Sequence, residues 1–449
     1  MTGPAGDGPR APIEDRLREA GLPPLPRTAW LEIDLDRLAA NVAAIRAALP
    51  PTVSLEAVVK ADAYGHGAAP VAAAVVAAGA RGLCVATLDE ALELRRAGLN
   101  GPLLVLFPVP PDGAPVAARA RVDIAAGDPL LLERSLVADA AARRRARGEL
   151  PALGIQLAIE TGLGRDGLTA AEAVAAGRRI AATPGAVLLG VWSHLQAPED
   201  RARSDEQVAR FEAAVGELRR AGVEVRHRHL LASGGLLGVE RIVGGSRPVF
   251  DGLRVGLALY GIAPEGVPIG RAAGGVHAAL RPVLSLRARP IRVADLPAGT
   301  GISYGPSFVT SRPSRIATLP VGYADGWARA LSNRAVALVR GRRVPLVGNV
   351  AMDAVMADVT DVPGPPVTPD DEFVLLGEQG GEEIGAVELA RGRTTITWEV
   401  VAAMARRLPR VYTARAVAVG MRTLTGDWEP WRSSRSGTAT SATSRSTRS

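Results

Sequence analysis

Between Trp30 and about Ala273 the chain alternates short apolar runs with longer, alanine-rich stretches of helical period. The runs fall at 53–60, 83–87, 103–107, 122–126, 154–160, 187–194, 225–233 and 253–260. Each has the length of a strand buried on both faces, and each gap is long enough for a crossover helix. Eight such repeats, with no G-x-G-x-x-G turn after an early strand, predict an α/β fold of the (β/α)8 TIM-barrel type rather than a doubly wound sheet. From about Val276 to Trp428 the rhythm changes to brief β-type runs, at 283–289, 335–339, 344–347 and 373–376, with a helix around 397–407. That pattern predicts a smaller β-rich C-terminal domain.

The expected organisation is a loosely held Pro/Gly-rich extension over 1–27, with one amphipathic patch at 13–20, then the barrel over 28–275 and the β-rich domain over 276–430. Residues 431–449, rich in Ser, Thr and Arg, cannot bury a core and are expected to be disordered. The longest apolar stretch, 68–80, is too short to cross a bilayer, and residues 1–16 carry no apolar signal segment. The expectation is a cytoplasmic protein without a membrane partner.

Composition sharpens the picture at one position. Of the 53 lysines and arginines, only Lys60 is a lysine. A guanidinium keeps its proton, whereas a desolvated amine can lose it and attack a carbonyl or act as a base. Lys60 closes the apolar run 55–59 and opens the glycine-bearing segment 61–67, so it stands where a barrel presents chemistry. The net charge of +7 owes four of its charges to Arg432, Arg435, Arg445 and Arg448 in the tail. With basic and acidic residues interspersed elsewhere and only 4% aromatic residues, a nucleic-acid partner is not expected. The single cysteine, Cys84, lies in an apolar run and reads as a buried small hydrophobe; a disulfide framework and a cysteine metal site are excluded.

The segment Ala57-Val58-Val59-Lys60-Ala61-Asp62-Ala63-Tyr64-Gly65-His66-Gly67 resembles the pyridoxal-phosphate attachment motif of the alanine racemase family. Further matches follow in the family's order: 161–165, 192–194, 253–261, 301–305, 321–327 and Met352-Asp353. The resemblance spans about 30–410 and implies a pyridoxal 5'-phosphate enzyme that interconverts L- and D-alanine and supplies D-alanine for peptidoglycan. It implies Lys60 as Schiff-base lysine and as the base on one face of the substrate, with Tyr304, lent by the second subunit of a homodimer, on the other. A tyrosine is an unusual base, since its free pKa is near 10, and it needs a cationic neighbourhood.

The same resemblance places Arg254 against the cofactor ring nitrogen, His194 against the ring face, and Arg165 near the phenolic oxygen and the substrate carboxylate. It assigns the phosphate to the hydroxyls of Tyr64 and Ser233 and the backbone N–H groups of Gly256 and Leu257, and gives Met352 a backbone contact to the substrate. Taken alone, His194 reads as a core histidine, Arg165 as a loop cation and Tyr304 as a turn aromatic. No metal is implied.

Four positions depart from the family pattern. Ala158 stands where many members carry a carbamylated lysine, leaving Arg165 to find another partner such as Glu160 or an anion. Ala232 replaces an asparagine and Ala351 a residue that is often cysteine. Arg406 is read, from Leu408-Pro409-Arg410, as replacing a tyrosine that touches the phosphate and narrows the entrance; the expectation is a guanidinium facing the phosphate. The alternatives these leave open are a racemase for serine or for a larger or acidic amino acid, and a non-catalytic pyridoxal-phosphate-binding relative.

Overall fold

Eight parallel strands close on themselves in chain order: β2 (Ser54–Val58), β3 (Gly82–Val85), β4 (Leu103–Val105), β5 (Asp123–Ala126), β6 (Leu153–Ala158), β7 (Ala186–Trp192), β8 (Arg228–His229) and β9 (Gly252–Val255), which returns to β2. The structure is a computed structural model and describes residues 11–147, 149–238 and 250–428. The strands are short and almost wholly buried, because helices cover the outside of the sheet while side chains fill its middle. The apolar run 253–260 does not continue as one strand; it breaks at Gly256 and resumes as a 3-10 turn, Leu257–Tyr260. The stretch 68–80 is a helix, Ala68–Ala77, as its length required, and Cys84 is buried in β3.

A second, twelve-stranded sheet is built from β1 (Ala29–Asp34), β10 (Leu284–Ala288), β11 (Arg292–Leu296), β12 (Ser314–Leu319), β13 (Val336–Val339), β14 (Arg342–Val347), β15 (Val355–Asp358), β16 (Phe373–Gln379), β17 (Glu382–Ile384), β18 (Arg410–Ala414), β19 (Val417–Arg422) and β20 (Asp427–Trp428). The first strand of the chain belongs here. β1 lies antiparallel to β10 and parallel to β18, so residues 29–34, which the sequence reading gave to the barrel, start the chain in the second sheet. The apolar face of β1 satisfies either sheet, and only the pairing distinguishes them.

The described part of the N-terminal extension is docked rather than loose. Helix α1 (Ile13–Glu19) buries Ile13 and Leu17 against Trp30, Val411, Ala418 and Met421, while Arg289 pairs with Glu14 and Arg16 with Glu32. Two large side chains contributed at one helical turn's spacing are enough to seat it, on the order of 1.5–3 kcal/mol each by burial. The tail 431–449 lies outside the described residues. Among the described residues no helix is long and apolar enough to cross a membrane.

Candidate active site

The C-terminal ends of the barrel strands surround a cavity of about 560 Å³. Lys60 follows β2, His194 follows β7, and Arg254 lies within β9; all three reach it, with Arg165 from the loop after β6. Tyr64, Ser233, Gly256 and Leu257 line the same cavity. These eight positions, scattered over some two hundred residues of sequence, are thus one site in space.

Lys60 is held by an unusual turn. Ala61, Asp62, Ala63 and Tyr64 all lie in the left-handed region, with φ between 52° and 55°. For non-glycine residues that conformation costs roughly 1–2 kcal/mol each, so the surroundings must enforce it. The second sheet supplies the clamp. Arg422 donates to Asp62 Oδ1 at 2.6 Å, Asp62 also accepts from Ala68 N at 2.9 Å, and the buried Arg410 donates to Gly65 O at 3.0 Å. Tyr412 Oη donates to His66 O at 3.2 Å and sits so close to Gly67 (φ 99°) that a Cβ there would overlap the hydroxyl. From the barrel side, Glu90 accepts from Ala61 N at 2.7 Å. Burial opposes ionisation of Asp62, but the bond and charge of Arg422, with the charge of Arg410 and the N–H of Ala68, together outweigh it and hold the carboxyl below its usual range.

The electrostatics favour a reactive amine. Burial, reinforced by the charge of Arg165, pushes the Lys60 amine below its ordinary pKa. Burial and the neighbouring Arg254 lower His194 to about 3, so its ring is neutral. Arg254, 3% exposed, donates to Ser193 O at 2.6 Å, His229 O at 3.1 Å and Leu230 O at 3.3 Å, contacts Nδ1 of His229, and lies 4.8 Å over the Trp192 ring. Burial lowers it only to about 10, and it remains a cation at neutral pH.

At the other end of the cavity Ser233 Oγ accepts from the N–H groups of Gly256 and Ala258, each at 3.2 Å. The Tyr64 hydroxyl closes this corner: a Cβ at Gly256 would lie 2.6 Å from it. Hydroxyls and backbone amides packed this tightly form a cradle that can hold a phosphate, and the amine of Lys60 shares its cavity. The residues present fit pyridoxal phosphate.

Three expectations change. Arg165 pairs with Asp166 at 3.1 Å and lies 5.1 Å over the Phe107 ring, whereas Glu160 is taken by the N–H groups of Gly162 and Gly164. Arg406 does not reach the cavity. The helix expected over 397–407 stops at Ala402, Ala405 N is drawn to Asp325 O at 3.1 Å, and Arg406 turns outward, 61% exposed, to Glu93 at 3.3 Å. The aromatic that lines the cavity from this region is Trp398, beside Ile396.

Tyr304 and Met352 also lie outside the cavity of their own chain, 76% and 51% exposed. Tyr304 caps a turn in which Ser303 (φ 66°) donates to Asn349 O at 2.7 Å and Asn349 donates to Tyr304 O at 2.8 Å. Met352 O accepts from Ala324 N at 3.1 Å, and the adjoining Asp353 accepts from Arg407 at 2.6 Å.

The fold and its lysine-centred cavity define a barrel enzyme of carbonyl–amine chemistry, completed by a β domain that clamps the lysine loop. Residues 33–264 match the family "Alanine racemase, N-terminal domain" and residues 283–412 the "Alanine racemase, C-terminal domain". The chain is 40% identical to an alanine racemase of Symbiobacterium thermophilum over 86% of its length and 97% of that protein. It superposes on the crystal structure of alanine racemase from Bacillus anthracis, with bound L-Ala-P, with a TM-score of 0.80 and 32% identity, covering 90% of this chain and 99% of that one. A histidine racemase from Leuconostoc mesenteroides shares the fold with a TM-score of 0.76 and 26% identity, covering 87% and 99%. The chain belongs to the alanine racemase family, whose members depend on pyridoxal phosphate.

Proposed function

We propose that this chain binds pyridoxal 5'-phosphate on Lys60 and racemises alanine with Lys60 and Tyr304 as bases on opposite faces of the substrate, in a homodimer whose subunits complete each other's sites. The observation that carries the reading is the chain's one lysine, half-buried in a cavity with Arg165, His194, Arg254 and Ser233, its amine depressed by burial. When bound, the cofactor acidifies the substrate's α-proton by withdrawing its electrons. Lys60 Nζ would take that proton from one face of the substrate while the Tyr304 hydroxyl gives a proton to the opposite face, the two exchanging roles for the other enantiomer. Arg165 receives the substrate carboxylate and Met352 adds a backbone contact to it.

Tyr64, Ser233, Gly256 and Leu257 hold the phosphate, and the neutral ring of His194 covers the cofactor face. Arg254, a cation at neutral pH, faces the ring nitrogen and keeps it unprotonated. The exposure of Tyr304 and Met352 supports a shared site, since both stand on loops of the second domain turned away from their own cavity. The product D-alanine serves cell-wall synthesis in the cytoplasm. Borohydride treatment of the cofactor-loaded protein should fix the cofactor on Lys60, the sole internal amine of this kind, and chiral chromatography over single-enantiomer alanine, serine, histidine and glutamate should show alanine turned over fastest. An adduct confined to the N-terminal amine, or another amino acid preferred over alanine, overturns the reading.

A further inference from the structure

Beneath Arg254 the barrel holds a second polar layer that none of these roles uses. Glu56 of β2 is the cross-strand neighbour of Arg254, and both side chains therefore point to the same side of the sheet, into the barrel. Glu56 Oε1 accepts from His227 Nε2 at 2.5 Å, and Oε2 lies 3.7 Å from His229 Nδ1. That same Nδ1 takes the Arg254 guanidinium. A guanidinium only donates, so His229 must carry its proton on Nε2, which donates to Gln156 Oε1 at 2.7 Å; Gln156 in turn donates to Asp123 Oδ2 at 3.2 Å. The layer is built to fit: a Cβ at Gly252 would lie 2.8 Å from His227 Nε2 and 2.5 Å from Ser54 Oγ.

Two histidines and a carboxylate with ligand atoms within 4.8 Å of one another have the spacing of a metal site. The nitrogen His229 would contribute is already held by Arg254, and a divalent ion there would face a buried guanidinium. A different problem is better solved by these residues. Among the described residues every hydrogen-bond acceptor of Arg254 is neutral, yet a buried cation needs a compensating charge. Of the two acids in this layer, Asp123 is pushed up to about 6 by burial and receives Gln156 rather than Arg254. For Glu56 burial is outweighed by His229, His227 and Arg254, which hold it down at about 2.

We propose that Glu56 is the counter-charge of Arg254, a positioning residue that acts across the neutral His229 ring to keep the guanidinium charged and turned to the cavity. The proposal rests on the reading that Arg254 faces the cofactor ring nitrogen. The groups facing Glu56 are Ser54 on its own strand, Cys84, Asp123 and Gln156 from β3, β5 and β6, and His227, His229 and Arg254.

The test is alkaline pH. In Glu56→Gln, which keeps the shape and removes the charge, the alkaline fall of kcat should move to lower pH by about one unit, with kcat at pH 9 down roughly twofold and KM for alanine little changed. Equilibrium dialysis of pyridoxal phosphate against the cofactor-free protein should show the same displacement in the pH at which binding weakens. Glu56→Asp, which retains the charge, should follow the wild type; a shift as large as that of Glu56→Gln would mean packing rather than charge and overturn the proposal. So would a wild-type pH profile in Glu56→Gln when Arg254→Lys has lost it. If Arg254→Lys also keeps the wild-type profile, the placement of Arg254 against the cofactor is what fails, and the role of Glu56 falls with it.

Discussion

Lys60 and Tyr304 stand on loops that this chain finishes to different degrees. The Lys60 loop is forced into a left-handed turn and held from three directions: by Glu90 of the barrel, and by Arg422 and by Arg410 of the second sheet. The Tyr304 turn is held through Asn349, which donates to Tyr304 O and accepts from the Ser303 hydroxyl, and its ring is 76% exposed. Pinning fixes an atom to within a fraction of an ångström, which a covalent attachment point and proton-transferring base requires. An exposed ring fixed at its backbone requires something else to lean on. One half of the proposed base pair is therefore complete in a single chain, and the other is presented outward for a second copy.

The sharpest way to break this comparison is to delete each base in turn. Lys60→Ala should lose at least about 10⁴-fold in activity in both directions, because attachment and one base vanish together. Tyr304→Phe should lose on the order of 10²–10⁴-fold in proton removal from one enantiomer and far less from the other, read by deuterium exchange at the α-carbon. Mixing the two proteins should restore part of the activity through hybrid dimers with one intact site. No recovery, with subunit exchange demonstrated by mass, would mean that the Tyr304 loop folds onto its own barrel.

A smaller effect tests the pinning itself. Asp62→Asn removes the carboxylate that receives Arg422 and with it the ion pair at 2.6 Å, at a cost of about 1–3 kcal/mol in stability. The sign with pH follows from the depressed carboxyl: its contribution is present above the unfolded value, near 4, and is lost as pH falls below that. The difference in melting temperature between wild type and Asp62→Asn should therefore be full at pH 7 and shrink in acid. A difference that stays constant from pH 7 to pH 3 would show that the ion pair is not what holds the turn.

The same contrast explains what could be read from the sequence. Barrel strands announce themselves because each apolar run is buried on both faces, and Lys60 stands out because arginine has taken every other basic position. The clamp was illegible for the converse reason: among so many arginines nothing marks Arg410 and Arg422 as the buried ones. Strand β1 was not among the runs read as strands, and residues 29–34 fell within the bounds given to the barrel, because their apolar residues suit either sheet and their partners lie some 250 and 380 residues away. Glu56 was passed over inside an apolar run, where the cost of a lone acid should have asked for a partner. His229 and Arg254, brought to it by strand register, supply one.

The smallest expected effect separates two positions in one short stretch. Trp398 lines the cavity mouth with Ile396, whereas Arg406, eight residues on, faces solvent and Glu93. An exposed ion pair at 3.3 Å contributes roughly 0–1 kcal/mol, and nothing links it to the cofactor cradle. Arg406→Tyr should leave the pyridoxal phosphate affinity and the order of preference among amino acids unchanged, and lower the melting temperature by no more than a few degrees. Trp398→Ala, by contrast, removes a ring from the mouth and should raise turnover of longer side chains relative to alanine. If Arg406→Tyr weakens cofactor binding several-fold, the chain after Ala402 must reach the cavity in the working enzyme. The helix would then have to extend past Ala402, and Ala405 N would have to leave Asp325 O to let it do so.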